Sequence, residues 1–127
     1  MKIISTENMP KSNGHYSQVI AHGGMLFLSG QLPINPATRN IPENIEEQTR
    51  QALSNVLLLL HEAGSDKTDV LQMRIYLSDI RLWDKVNAIY TDFFGAHKPA
   101  RSIVPTRELH FGCLIEIEAL AVQKENE

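Results

Sequence analysis

Arg101 is the residue best suited to bind a small acid in this sequence, because a guanidinium can donate two parallel hydrogen bonds to one carboxylate. It follows Pro99 and Ala100 in a predicted loop and begins a predicted strand. Side chains at such junctions often line clefts, although many arginines there are surface residues paired with a nearby glutamate. Arg101 alone therefore supports either a carboxylate site or a surface ion pair.

Glu116 and Glu118 interrupt an apolar segment near the C-terminal end of the sequence. Because side chains alternate along a strand, both carboxylates are predicted to share one face with Leu114, Leu120 and Val122. Carboxylates among leucines indicate a binding partner, a subunit interface or a reactive site. The alternative for either glutamate is a solvated sheet face with a salt bridge.

Tyr16 and Ser29 are further candidates, because a phenol and a hydroxyl can each donate or accept a hydrogen bond. Tyr16 follows Gly14 just ahead of the first long predicted strand, and Ser29 precedes Gly30 where the second one ends. The alternatives are half-buried packing for Tyr16 and a local backbone hydrogen bond for Ser29.

Metal, phosphate and nucleic-acid sites have little support in the sequence. No two of the five histidines have metal-ligand spacing, and the single cysteine, Cys113, cannot form a Cys-x-x-Cys motif. Gly23-Gly24 lacks the Lys and the Ser or Thr of a phosphate-binding loop. The net charge of −3 and the absence of a basic run disfavour nucleic-acid binding. We therefore predict no bound metal.

The composition is that of one ordinary globular domain spanning residues 1–127, with 43% hydrophobic and 21% charged residues. The longest apolar run, residues 56–60, is too short to cross a bilayer. The N-terminal residues do not have the apolar region of a secretory signal. One cysteine cannot form an intrachain disulfide, so the expected location is the reducing cytoplasm.

Two short apolar runs predict a β-hairpin that positions Ser29. Residues 19–21 and 25–28 would form its strands, and Gly23-Gly24 its turn, because glycine tolerates positive φ. Residues 29–42 contain three prolines, which favours a long ordered loop after the second strand.

Two helices are predicted from their caps and from apolar residues at helical spacing. Asn44, with Glu47 three residues later, indicates the start of the first, and Gly64 its end. Asp79 and Gly95 bound the second in the same way. The remaining predicted strands are residues 72–77, 102–107 and 114–122. The order β-β-α-β-α-β-β predicts an α+β fold, with two helices against one face of a mixed sheet.

Five motifs extend this interpretation across residues 4–122. They are Gly14-x-Tyr16-Ser17-Gln18, Ser29-Gly30-Gln31-x-Pro33, Val86-Asn87-x-x-Tyr90-x-x-Phe93-Phe94, Pro99-Ala100-Arg101-Ser102 and Ile115-Glu116-Ile117-Glu118-Ala119. In this order, the sequence resembles the RidA/YjgF family of enamine/imine deaminases, long called the endoribonuclease L-PSP family.

The resemblance implies a chorismate-mutase-like α+β fold, a homotrimer and sites in the clefts between subunits. Arg101 corresponds to the family's substrate-carboxylate arginine, and Glu116 to the glutamate near the catalytic water. The other positions that match the lining of that cleft are Tyr16, Ser29, Asn87 and the backbones of Gly30 and Ile103.

The sequence departs from the family pattern at several positions. His15 stands where proline is usual before the tyrosine, and Ile103 replaces a frequent cysteine two residues after the arginine. Residues 105–113 also differ from the common pattern. These exchanges leave the substrate preference open.

The resemblance implies a 2-iminobutanoate/2-iminopropanoate deaminase-type hydrolase that acts on small carboxylate-bearing imines and needs no cofactor. The products would be 2-keto acids and ammonia. One alternative is a non-catalytic trimer that binds keto acids or similar metabolites in the same cleft. Another is the ribonuclease or translation inhibitor suggested by the older family name, which the acidic charge balance disfavours.

Overall fold

Six strands and two α-helices form the chain in the computed structural model, which describes residues 1–9 and 14–124. The strands are β1 (Lys2–Ile4), β2 (Val19–His22), β3 (Met25–Gln31), β4 (Val70–Leu77), β5 (Ala100–Pro105) and β6 (Ile115–Val122). The helices are α1 (Ile45–Glu62) and α2 (Trp83–Phe94), and short 3₁₀ turns lie at Lys67–Asp69, Ile80–Leu82 and His110–Gly112. No helix in this part of the chain combines the length and the apolar character needed to span a bilayer.

The strands form one mixed sheet in the order β1-β2-β3-β6-β4-β5. β4 and β5 are parallel and are joined through α2, whereas the other neighbouring pairs are antiparallel. The predicted α+β fold and its order β-β-α-β-α-β-β are confirmed. The sheet also has an edge strand, β1, that the sequence did not predict, because three residues are too few to show an alternating pattern.

The hairpin between β2 and β3 turns at Gly23 and Gly24, as predicted. Their φ values are 58° and 78°, both in the left-handed region. Two successive positive φ values match the twist of a two-residue hairpin turn, and glycine adopts them without strain. The turn sends β3 back along β2 and places Ser29 near the far end of that strand.

The start of α1 agrees with the prediction, and the start of α2 does not. Asn44 Oδ1 accepts a hydrogen bond of 2.8 Å from the Glu47 N–H. The Glu47 carboxylate pairs with Arg50 instead of returning to the cap backbone. Asp79 caps the 3₁₀ turn that precedes α2, so the α-helix itself begins at Trp83.

Both helices pack on the same face of the sheet and enclose the hydrophobic core. Strand β6 contributes Ile115, Ile117, Ala119 and Ala121 to that core, and all four side chains are buried. Because side chains alternate along a strand, the two glutamates of β6 point to the opposite face, as predicted.

The opposite face, here called the outer face, is not covered by either helix. Phe27 and Val122 are 44% and 40% exposed there. Leu114, predicted to share this face within the last strand, lies just before β6 and packs against the hydrophobic core. The Leu114 N–H donates to the side-chain oxygen of Gln48 at 2.8 Å, which ties the backbone before β6 to α1.

The loop after β3 is held in place by a buried amide. Asn55 of α1 donates hydrogen bonds to the carbonyl oxygens of Leu32, at 3.0 Å, and Ile34, at 2.9 Å. Gln51 in turn donates to Asn55 Oδ1 at 2.9 Å. This buried network satisfies polar groups that would otherwise be costly to enclose, and it makes the loop an ordered wall beside β3.

Candidate active site

An open cleft of about 570 Å³ lies beside the end of β3 and the start of β6, and we call it the β3–β6 cleft. Four of the predicted site residues line it: Tyr16, Ser29, Gly30 and Glu116. Three lining residues that the sequence did not predict also carry charge or aromatic surface: Arg39, His110 and Phe111. The cleft therefore combines a carboxylate, a guanidinium and hydroxyl groups on one chain.

Glu116 has the properties of an acid–base group. Its carboxylate has no hydrogen-bond or ion-pair partner within residues 1–9 and 14–124. Burial raises the pKa of the Glu116 carboxyl above its ordinary value, His110 opposes this rise, and Glu118 adds to it. A carboxylate whose pKa is moved toward neutrality can both accept and return a proton in catalysis.

Gly30 is required by the position of that carboxylate. A Cβ atom at residue 30 would lie 3.0 Å from both Cδ and Oε2 of Glu116. Any larger residue would push the glutamate side chain out of its place. The sequence showed Gly30 as part of a motif, but this close approach could be seen only once β3 and β6 were paired.

Ser29 ties the segment that carries Tyr16 to β3. Its hydroxyl donates to the Ser17 carbonyl at 2.7 Å, and its N–H donates to the Gln18 carbonyl at 3.0 Å. The Ser29 oxygen keeps lone pairs that can accept from a ligand or water. Tyr16 is 58% exposed, so its ring is available to the cleft and is not packed in the core.

Glu118 occupies a different environment from Glu116, although both lie on the outer face. Its Oε1 accepts a hydrogen bond of 2.5 Å from the Tyr76 hydroxyl and lies 3.5 Å from the Arg74 guanidinium. The hydrogen bond to the Glu118 carboxylate raises the pKa of Tyr76. Glu118 thus fits the alternative of a carboxylate paired on the sheet face, and Glu116 does not.

Arg101 lies at the far edge of the sheet, against α2. Its Nη1 donates to Asn87 Oδ1 at 3.0 Å. Its guanidinium carbon is 4.6 Å from the ring centroid of Trp83 and 4.9 Å from that of Tyr90, distances at which a cation is attracted to an aromatic face. We call Trp83, Asn87, Tyr90 and Arg101 the arginine cradle.

Trp83 and Tyr90 were not among the predicted site residues. The sequence could have indicated them, because spacings of four and three residues place Trp83, Asn87 and Tyr90 on one side of a helix. The Tyr90 hydroxyl is buried and has no hydrogen-bond partner in the described part of the chain. That burial raises the pKa of Tyr90. The two rings and the amide hold the guanidinium in one orientation, which favours planar recognition of an anion.

The arginine cradle and the β3–β6 cleft lie on opposite faces of the sheet. The pairing of β4 with β5 sets Arg101 beside Met73 and Ile103 beside Ile75, both on the face that the helices cover. Glu116 lies on the outer face of β6, with β4 between it and β5. One chain therefore does not bring Arg101, Asn87 and Ile103 together with Tyr16, Ser29, Gly30 and Glu116.

Metal-ligating side chains are dispersed in the described part of the chain. Within residues 1–9 and 14–124, no group of three or more His, Cys, Asp or Glu residues is placed to hold a metal ion. The side chains that line the cleft carry carboxylate, guanidinium, imidazole and hydroxyl groups.

Comparison with known proteins assigns this arrangement to a broad family. A family model described as endoribonuclease L-PSP matches residues 6–123. A RutC family protein of Pyrococcus horikoshii is 44% identical over 124 residues, which cover 97% of this chain and 98% of that protein.

Two proteins of Escherichia coli add information on chemistry. A 2-iminobutanoate/2-iminopropanoate deaminase is 39% identical over 126 residues, covering 97% of this chain and 98% of the enzyme. The crystal structure of TdcF with bound serine aligns with a TM-score of 0.92 at 35% identity, covering 98% of this chain and 100% of TdcF. Serine carries a carboxylate, so this structural relative binds a small carboxylate-bearing molecule.

We predict that Glu116→Gln stabilises the fold more at pH 8 than at pH 4. Burial raises the pKa of Glu116, so the folded state favours its protonated form, and stability is lost as the pH rises through that pKa. Glutamine removes the ionisation and with it this loss. Urea unfolding at the two pH values measures the difference. The exposed Glu43→Gln is the matched control, and an equal change at both pH values in Glu116→Gln would contradict the prediction.

Proposed function

The chain belongs to the RidA/YjgF family, whose older name is endoribonuclease L-PSP, and we propose that it hydrolyses reactive 2-imino acids to 2-keto acids and ammonia. The observation that carries the proposal is the unpaired Glu116 carboxylate with a raised pKa, at the wall of an open cleft. The name of the E. coli relative supports the same class of substrate, of which 2-iminopropanoate is an example.

Glu116 moves the protons of the proposed reaction. It accepts one proton of a water molecule while the water oxygen attacks C2 of the protonated imine, and the C=N bond becomes a single bond. Glu116 then returns that proton to the amino nitrogen. The C–N bond breaks, ammonia leaves, and the hydroxyl proton passes to solvent as the keto C=O forms. The reaction consumes one water and exchanges no electrons with a partner.

Arg101 fixes the substrate by its carboxylate. Trp83, Asn87 and Tyr90 restrict the guanidinium, so little rotational freedom remains to be lost on binding. A carboxylate held in that plane fixes the direction in which C2 faces the attacking water. The backbone of Ile103, two residues along β5, borders the same position.

Tyr16 and Ser29 orient the water and the imine nitrogen. Ser29 already donates its hydroxyl proton to Ser17, so toward a ligand it acts as an acceptor from water or from the protonated imine. The exposed Tyr16 phenol can either donate or accept. Gly30 lets the backbone of β3 approach the Glu116 carboxylate closely, which fixes where that carboxylate meets a water or ligand in the cleft.

A homotrimer would join the two halves of this site. Arg101 and Glu116 face away from each other across the sheet, so the arginine that serves a given Glu116 must come from a second copy. The outer face offers exposed apolar side chains, Phe27 and Val122, beside Leu120, a composition typical of subunit interfaces. Three copies joined at these faces would leave one cleft at each seam.

Binding without turnover is the second candidate function. The solved relative with bound serine supports it, because serine is an amino acid and not an imine. Pyruvate release coupled to an enzyme that produces 2-aminoacrylate separates the two. A hydrolase accelerates the release above the spontaneous rate, whereas a binding protein does not.

We expect Arg101→Ala to lower kcat/KM roughly 30-fold to several-thousand-fold, since breaking a desolvated charge pair costs about 2–5 kcal/mol. Arg101→Lys should also be strongly impaired, because an ammonium cannot form the planar pair of hydrogen bonds. The coupled pyruvate assay measures both. Arg50→Ala, which removes an exposed arginine of α1, is the control. Near wild-type turnover in a folded Arg101→Ala protein would refute the carboxylate role.

Glu116→Gln should lower kcat more than it changes substrate binding, because it keeps the shape of the side chain and removes the proton acceptor. Glu118→Gln is the matched variant two residues away on the same face. It should act mainly on stability or assembly, since Glu118 bonds to Tyr76 and Arg74. Steady-state kinetics and thermal unfolding of both variants test the assignment. An equal loss of kcat in the two, or a loss only in Glu118→Gln, would reverse it.

Light scattering on a sizing column should give about three times the chain mass of 14.3 kDa. The sharper measurement mixes Arg101→Ala with a Tyr16 variant that is also inactive. Subunit exchange creates some clefts in which both residues are wild type, so activity should return. Exchanged trimers that stay inactive would show that one chain supplies both residues.

A further inference from the structure

Two non-glycine residues in the described part of the chain have positive φ, and both line the β3–β6 cleft. They are Arg39, with a φ of 66°, and Phe111, with a φ of 59°. L-residues rarely adopt this conformation because of the clash between Cβ and the following carbonyl. Backbone strain of this kind is concentrated at functional sites, where the surrounding structure maintains it.

The strain at Arg39 is maintained by its own loop. Asn35 Oδ1 accepts hydrogen bonds from the N–H groups of Ala37 and Thr38, at 2.9 and 3.2 Å. The Asn35 carbonyl accepts a hydrogen bond from the Arg39 N–H at 2.8 Å. The Asn35 N–H donates to the Asn40 carbonyl, also at 2.8 Å. Residues 35–40 thus form a closed turn that leaves the Arg39 backbone little freedom and keeps its side chain at the cleft.

The Arg39 guanidinium is free to bind an anion. It forms no ion pair or side-chain hydrogen bond with any residue of the described ranges 1–9 and 14–124. The charges that act on the Glu116 pKa are those of His110 and Glu118, and Arg39 is not among them. Arg39 lines the same cleft as Glu116 and forms no ion pair with it.

We propose that Arg39 binds a second, distal carboxylate of the substrate, so the preferred substrates are 2-imino dicarboxylic acids, the imines of acidic amino acids. This inference rests on the proposed imine hydrolysis. Arg101 of a neighbouring copy would hold the carboxylate at C1, and Glu116 would act at C2. Arg39 would bind the distal carboxylate. Apolar wall residues such as Ile34 and Phe111 would lie beside the methylene groups that separate the two carboxylates of the substrate.

The size of the cleft agrees with a substrate longer than three carbons. Ligand pockets in proteins commonly enclose about 300–1,000 Å³, and the part of the cleft formed by one chain, about 570 Å³, has room for a five-carbon acid. A monocarboxylic substrate would leave the Arg39 guanidinium facing solvent. A dicarboxylic one would pair both guanidinium groups that border the joined site.

The test compares two imines of equal chain length, 2-iminoglutarate and 2-iminopentanoate, generated in situ from glutamate and norvaline by an amino-acid oxidase. We expect the wild type to favour 2-iminoglutarate in kcat/KM. Arg39→Gly relieves the positive φ, so it should fold, and Arg39→Gln keeps the length of the side chain without its charge. In both variants the ratio of the two kcat/KM values should fall roughly tenfold to a hundredfold, the effect of one charge-assisted hydrogen bond.

Arg50→Gln on α1 is the control and should leave the ratio at its wild-type value. An unchanged ratio in the Arg39 variants, or an equal loss on both imines, would overturn the proposal. An equal loss would instead indicate that Arg39 supports assembly of the copies.

Calorimetric binding of two stable keto acids, 2-oxoglutarate and 2-oxopentanoate, separates failure of this inference from failure of the proposed hydrolysis. If neither imine is turned over but 2-oxoglutarate binds more tightly in an Arg39-dependent manner, the dicarboxylate site stands and the hydrolase proposal fails. If both imines are hydrolysed and neither the ratio nor keto-acid binding depends on Arg39, the hydrolase proposal stands and the dicarboxylate site fails.

Discussion

The alternation of side chains along β6 is the constraint on which the rest of the structure depends. This strand lies inside the sheet, between β3 and β4, and its odd-numbered residues fill the core beneath the helices. The same pleat directs Glu116 and Glu118 to the outer face. A shift of register by one residue would bury both carboxylates among leucines and isoleucines, at a cost the fold could not offset. The buried Ile115 and Ile117 thus fix the position of the glutamates from the other side of the strand.

Glu116 and Glu118 point to the same face of β6, but the residues of the neighbouring strands give them different surroundings. Glu118 lies beside Arg74 of β4 and accepts a hydrogen bond from the Tyr76 hydroxyl, so its charge is compensated within the sheet. Glu116 lies against the backbone of Gly30 on the other side, where β3 leaves its regular register with β6. The irregularity between Leu28 and Gln31 contains Ser29 and Gly30, two residues that line the cleft, and bulges of this kind are common next to functional sites. The unpaired carboxylate thus lies beside the irregularity, and the paired one bonds to side chains of β4, where the pairing with β6 is regular.

Local signals in the sequence predicted the helices and strands well, but they could not predict contacts between residues that are far apart in the sequence. Gly23-Gly24 and Asn44 each encode a turn or a cap within a few residues, so the hairpin and α1 could be placed. The start of β6 was predicted one residue early, at Leu114, whose N–H bonds to Gln48, 66 positions away in the sequence. The same limit applies to the candidate site: the residue types of Arg101 and Glu116 predict their chemistry, but the sheet order that sets them on opposite faces is a long-range property. Arg39 belongs to no motif, since its place at the cleft depends on a backbone angle that the sequence does not show.

The cradle around Arg101 has one more consequence, which is optical. Trp83 is the single tryptophan of the chain, and its ring lies 4.6 Å from the guanidinium carbon. Its near-ultraviolet excited state therefore senses the electric field of that cation directly. An anion that approaches the guanidinium changes this field, so each copy of the chain carries an intrinsic fluorophore at the arginine half of the site. Its emission therefore reports on the surroundings of Arg101 in a measurement that needs no turnover.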